Sequence, residues 1–294
     1  MNSGARPPAP FVVGVGRSGT TLLRLMLDAH PELAIPPETH FVPELIEACR
    51  ERARSPEQLT EIVTSARQWG DFGLDRDELA SRFRKAEPLD AGNALRAFYA
   101  LYAERIGKPR WGDKTPIYVE SMAEIQGALP EARFVHLIRD GRDVALSRIR
   151  RALAEPPPVW RIAENWKRRI EAARRDGGQL PHYLEVRYED LVRGTEPTLR
   201  RVCEFIDLEF DAAMLDYHVN AEHRLREMAG DLPARGGKAL RPGSERLAAH
   251  ALATQRPRPE RIGAWRDEMS AEDAAAFEEA AGALLAELGY LAPR

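Results

Sequence analysis

The chain has 294 residues, 44% of them hydrophobic, which is enough apolar material for one sizeable core. A formal net charge of −3 excludes the overall basic footprint of a nucleic-acid or anionic-membrane binder. No apolar run reaches the ~18 residues of a membrane span, and the two cysteines, Cys49 and Cys203, sit in apolar helical text that suits buried thiols of a reducing compartment. A soluble cytoplasmic protein is expected.

After a Pro/Gly/Ala lead-in, residues 11–15 form an apolar run of the kind that makes a buried strand. Gly14 and Gly19 bracket the turn that follows, and Thr20 opens a helix over residues 20–29 with apolar side chains on nearly every side except Arg24 and Asp28. His30-Pro31 stops that helix. A second short strand over 33–35 ends at Pro36-Pro37, and Glu38-Thr39-His40-Phe41 follows at the strand edge where open α/β sheets bind ligands. Residues 43–106 are charged and helical, with breaks near Ser55-Pro56, Gly70-Asp71 and Pro88. They predict three or four helices, an insertion or lid spanning 43–107.

A strand over 108–111 leads into Gly112-Asp113-Lys114-Thr115-Pro116, with Pro116 opening a helix and Thr115 as its cap. Residues 133–138 make a buried strand that runs straight into Arg139-Asp140-Gly141-Arg142 and a helix carrying Ser147. The triple proline at 156–158 precedes a basic amphipathic helix over 159–175. A strand at 182–188 and helices from Glu189 and Pro197 come next. Residues 219–243 are polar, rich in Gly, Pro and Arg, and without period. Together with the text to 258 they read as a mobile loop closing on ligand. A helix over 271–288 ends the pattern. Alternating strands and helices predict a single α/β domain over 1–294, three-layered, with a central mostly parallel sheet and helices on both faces.

Two stretches carry chemistry. Gly14, four residues and Gly19 match P-loop spacing, but Thr20 stands where that pattern has lysine, and the basic group lies inside the loop at Arg17. A glycine turn opening a helix aims free N–H groups at an anion, so Arg17, Ser18, Gly19, Thr20 and Thr21 form a phosphate cradle. Arg139 and Ser147, eight residues apart across a loop and two helical turns, can grip a second anion, with Arg142 and Arg151 adding charge nearby. Two anion-binding strand–helix junctions imply a ligand with phosphates at both ends. ATP would need one junction plus magnesium ligands, and the text has no Walker-B aspartate run and no metal-ligand cluster.

The stretch from Gly14 through Phe41, the box Asp113-Lys114-Thr115-Pro116, residues 135–147, Val186-Arg187-Tyr188-Glu189-Asp190-Leu191-Val192 and residues 261–266 together resemble the PAPS-dependent sulfotransferase superfamily. The motifs are most similar to its tyrosylprotein branch. The resemblance implies a P-loop NTPase-like sulfotransferase fold and metal-independent transfer of a sulfuryl group from 3′-phosphoadenosine-5′-phosphosulfate (PAPS) to an acceptor hydroxyl of unspecified class, leaving PAP. It implies that residues 17–21 hold the 5′-phosphosulfate, that Arg139 and Ser147 hold the 3′-phosphate, and that Arg151 and Tyr188 contact the nucleotide. It further implies Arg17 and Lys114 as the cations that neutralise the leaving oxygen. The small-molecule branch has a histidine base where this chain has Pro116, whereas the tyrosylprotein and glycan branches have a glutamate about where Glu38 sits. Glu38 is therefore the expected base, with His40 the alternative. Trp265 either caps the adenine side or packs in the core. Two other readings stay open: a kinase with a degenerate P-loop, and a catalytically silent PAPS-fold protein that binds a partner through its insertion.

Overall fold

Strands form at β1 (Ala9–Gly14), β2 (Leu33–Ala34), β3 (Arg110–Trp111), β4 (Asp113–Lys114), β5 (Ala132–Ile138) and β6 (Tyr183–Arg187). In this computed structural model, which describes residues 6–50, 55–151, 156–234 and 240–291, four of them make a parallel sheet in the order β4-β1-β5-β6. Strands β2 and β3 form a parallel pair beside it. β1 is buried along its whole length, as a strand covered on both faces must be.

Its period-two alternation separates two cores. Phe11 and Val13 join Phe134 on one face, while Val12 joins Val135, Leu137 and Val186 on the other. The second face is closed by the helices Thr20–Asp28 and Thr195–Phe205. Beyond the ends of β1 and β5, a third cluster packs the helix Val159–Gly177 on the C-terminal helix Ala271–Glu287 through Trp166, Ile170, Phe277 and Leu284. The three-layer α/β architecture expected from the alternation is present. No helix among the described residues is long and apolar enough to cross a membrane. Cys203 is buried against Met214 (3.7 Å between sulfurs), and Cys49 is half-buried; neither is in a disulfide.

The insertion departs from expectation in number and in place. Among the described residues it holds five helices, Val42–Arg50, Pro56–Thr64, Trp69–Phe72, Arg76–Lys85 and Ala91–Ile106, and the supposed break at Gly70-Asp71 lies inside the third. Its apolar faces are the first core's outer layer. Phe98 meets Phe41, Phe72 and Tyr99 edge-on with ring centroids 4.8, 5.1 and 5.2 Å apart, and Tyr99 meets Phe11 of β1 at 6.2 Å.

Residues 219–258, read as a loop, contain the helices His218–Leu225 and Gly243–His250, joined through an antiparallel bridge between Leu232 and Arg241. Short helices with few apolar anchors leave no period to read. Charge holds them instead. Arg24, fully buried, pairs with Glu227 at 3.2 Å, and Arg224 reaches Asp28 at 2.6 Å. Thr115 also differs: it precedes a 3₁₀ turn, Pro116–Glu120, without capping it, because its hydroxyl accepts the Thr39 N–H at 3.0 Å.

Candidate functional site

The turn after β1 is shaped by three residues of positive φ: Gly14 (+151°), Arg17 (+82°) and Gly19 (+96°). At Gly19 only hydrogen fits, since an added Cβ would lie 2.5 Å from the Tyr188 ring. Gly19→Ala should therefore destabilise the fold by ~1–3 kcal/mol and displace Tyr188; denaturant unfolding and PAP titration would show both effects. The helix beginning at Thr20 has no side-chain cap and no acid in its first turn, so its leading N–H groups are left to an anion.

Arg17, Gly19, Thr20, Thr21, Arg139, Ser147, Arg151 and Tyr188 line one cavity of about 540 Å³. The two anion junctions converge there, with Arg17 Nε donating to Ser147 Oγ at 3.2 Å. Ser147, paired with Arg139 in the sequence reading, is thus held by Arg17. Arg139 lies over the Tyr188 ring, its carbon 4.3 Å from the centroid, and donates to the Arg261 carbonyl at 3.2 Å. Its Nε is buried with no hydrogen-bond partner among the described residues, and so is Ser18 Oγ. Burial and the neighbouring Arg151 and Arg139 push the Arg17 pKa down to about 10, leaving a cation that an anionic ligand would relieve.

Beside the cavity, Lys114 Nζ donates to Thr21 Oγ1 at 3.4 Å and to Glu38 Oε1 at 2.6 Å. The Lys114 side chain is 2% exposed and that of Glu38 29%, so the carboxylate is the accessible member of the pair. Its other oxygen, Oε2, meets His40 Nε2 at 3.0 Å. Burial would raise the Glu38 pKa, but the Lys114 ammonium and the His40 hydrogen bond outweigh it and hold the carboxyl well below the usual carboxylate range.

The loop carrying Glu38 is pinned from below. Thr39 Oγ1 donates to Asp113 Oδ2 at 2.8 Å and lies 2.7 Å from the Tyr118 hydroxyl, while Tyr99 donates to the same Oδ2 at 3.0 Å. Burial pushes the Asp113 pKa from 3.8 up to about 6. A raised acid pKa favours the folded state while the group is protonated. That contribution, ~3 kcal/mol for a shift of this size, is present below pH 3.8 and lost as pH rises to about 6. Asp113→Asn should abolish it, so the stability of wild type relative to the variant should fall between pH 4 and 6 in denaturant titrations.

A model of the Sulfotransferase family matches residues 8–212, which contain both anion junctions, Glu38 and Lys114. The chain belongs to the sulfotransferase family. It is 28% identical over 217 residues to Protein-tyrosine sulfotransferase 1 of Danio rerio, an alignment covering 71% of this chain and 56% of that protein. It spans about half the length of the curated relatives it matches: Protein-tyrosine sulfotransferase A of Caenorhabditis elegans is also 28% identical, over 71% of this chain and 52% of its own. Among solved structures, the sulfotransferase domain of the Synechococcus PCC 7002 olefin synthase shares the fold with a TM-score of 0.59 at 23% identity, covering 100% of this chain and 99% of that one.

Two residues singled out in the sequence lie outside the cavity lining, Trp265 in keeping with its packing alternative. Trp265 does not line it; its ring lies 3.8 Å from the Arg142 guanidinium carbon, and its backbone N–H donates to Asp143 at 3.0 Å. Arg142 itself is buried against Asp140 and Glu278, behind the wall. Conversely, Arg241, His250, Arg256 and Arg258 line the cavity and escaped sequence reading, although the density of arginine in that aperiodic stretch was a signal.

Proposed function

We propose that this protein is a PAPS-dependent sulfotransferase acting on an acceptor hydroxyl. The observation that carries the reading is an arginine-lined cavity joined through Thr21 to the Glu38–Lys114 pair. Orphaned buried donors, Arg139 Nε above all, suit a polyanion that reaches both junctions. The residues 17–21 would hold the phosphosulfate end, and Arg139, Ser147 and Arg151 the 3′-phosphate. When bound, PAPS supplies the sulfuryl group: its bridging S–O bond breaks with the electron pair staying on the phosphate oxygen, as the acceptor oxygen bonds to sulfur and gives up its proton.

Glu38 takes that proton. Arg17 and Lys114 neutralise the charge growing on the departing oxygen. The protein-tyrosine sulfotransferases among its relatives make the phenolic hydroxyl of a peptide tyrosine the acceptor to test first. Two free thiols fit a reducing compartment, and the cytoplasm is the location we propose.

Calorimetric titration with PAP and with ATP–magnesium tests the donor assignment. Tight PAP binding with indifference to ATP is expected, and the opposite ranking would replace the reading with a kinase. Labelled PAPS offered with phenols, sugars and tyrosine peptides then identifies the acceptor. Transfer to none of them, despite PAP binding, would point to a silent PAPS-fold protein.

A further inference from the structure

The helix Gly243–His250 ends against the transfer site and is fixed at its other end. Arg246 and Asp71, each 5% exposed, pair at 2.9 Å, and Arg246 also donates to the Gly230 carbonyl at 2.7 Å. Asp231 receives the Gly243 N–H at 2.8 Å. The insertion thus anchors a helix whose last three residues, Ala248, Ala249 and His250, form part of the cavity wall. The carbonyls of Ala248 and Ala249 accept from Arg151 and Arg17, both at 3.4 Å. His250 lies within electrostatic reach of Lys114, Glu38, Arg17 and Arg151. No hydrogen bond to its ring occurs among the described residues.

Resting on the sulfuryl-transfer reading, we propose that His250 is a further catalytic residue, its imidazole N–H donating a hydrogen bond to an oxygen of the transferring sulfuryl group. Its place points to the contact: His250 lines the cavity directly after Ala249, whose carbonyl accepts from Arg17 at 3.4 Å, the cation assigned above to the leaving oxygen. Charge decides the role. Burial and the Lys114 ammonium push the imidazole pKa down to about 3, so the ring is neutral at working pH. A proton accepted there would sit beside Lys114, Arg17 and Arg151, whereas an N–H donated to an anionic oxygen adds no charge to the wall. Glu38 remains the proton acceptor.

The test compares PAPS with PAP, which lacks only the sulfuryl group, by calorimetry without acceptor. His250→Ala should weaken PAPS binding by ~10-fold and leave PAP binding unchanged. Turnover of the acceptor found with labelled donor should fall by ~10–10²-fold. His250→Gln, which supplies an amide N–H, should recover most of both losses. Equal losses for the two nucleotides, no loss for either, or a glutamine variant no better than alanine would each overturn the proposal, the last by pointing to proton acceptance. A wild-type protein that binds neither nucleotide overturns the donor assignment itself, and this one with it.

Discussion

Glu38→Gln is expected to lower turnover by ~10²–10⁴-fold while PAP binding and folding stay as in wild type. The substitution keeps the shape of the side chain. Its amide oxygen can still accept from Lys114 Nζ, as Glu38 Oε1 does at 2.6 Å, so the buried ammonium is not stranded. What disappears is the lone pair basic enough to take the acceptor's proton. Steady-state kinetics beside PAP calorimetry separates the two properties. Wild-type turnover in the variant would move the proton to His40 or to the acceptor itself. The same contacts predict a pH signature. Because Lys114 and His40 hold the Glu38 carboxyl well below its ordinary range, kcat/KM, which reports the free enzyme, should show no acid limb from this group in the usual carboxylate range. Once Lys114 turns to the donor, Glu38 loses its main stabilising charge and becomes a stronger base. A limb that appears in kcat but not in kcat/KM would be the mark of that exchange.

Arg17→Ala should cost ~10²–10³-fold in kcat and weaken PAPS more than PAP. The Arg17 backbone takes the left-handed region at φ +82°, on the turn itself, and its guanidinium joins the two strand–helix junctions through Ser147. Removing it takes away the cation we propose for the leaving oxygen and also frees Ser147. Arg17→Lys is the sharper probe. The surroundings that push arginine down to about 10 would bring a lysine toward the working range, so residual activity should fall as pH rises. An activity ratio of lysine variant to wild type that does not change with pH would remove Arg17 from the charge-stabilising role.

Much of this site was legible because its chemistry is local in sequence. Strand, glycine turn and helix start follow one another within residues 9–28, and each step leaves its own mark: an apolar run, glycines where φ is positive, an uncapped first turn. Arg139 and Ser147 were legible for the same reason, as neighbours across one strand–helix junction. Glu38 could be named from its place after β2 and from the resemblance of its flanks, but not its partners. Lys114 lies 76 residues away in the chain, and only β4 lying beside β1 brings it to Glu38 and Thr21.

Trp265 shows the reverse case: a tryptophan in a matching motif whose ring the fold turns against Arg142 and out of the cavity. The segment 219–258 shows why aperiodic text defeats pattern reading. Its helices are short and fastened by pairs such as Arg246–Asp71 and Arg224–Asp28, separated by 175 and 196 residues. Hydrophobic period and turn chemistry act over a few residues, so the sequence alone determined the α/β layering and the glycine turn into an uncapped helix with its displaced basic residue. Ion pairs and cavity walls join residues far apart in the chain. The tertiary structure therefore decided which arginines share one cavity, which carboxylate Lys114 holds, and that His250 lines that same cavity.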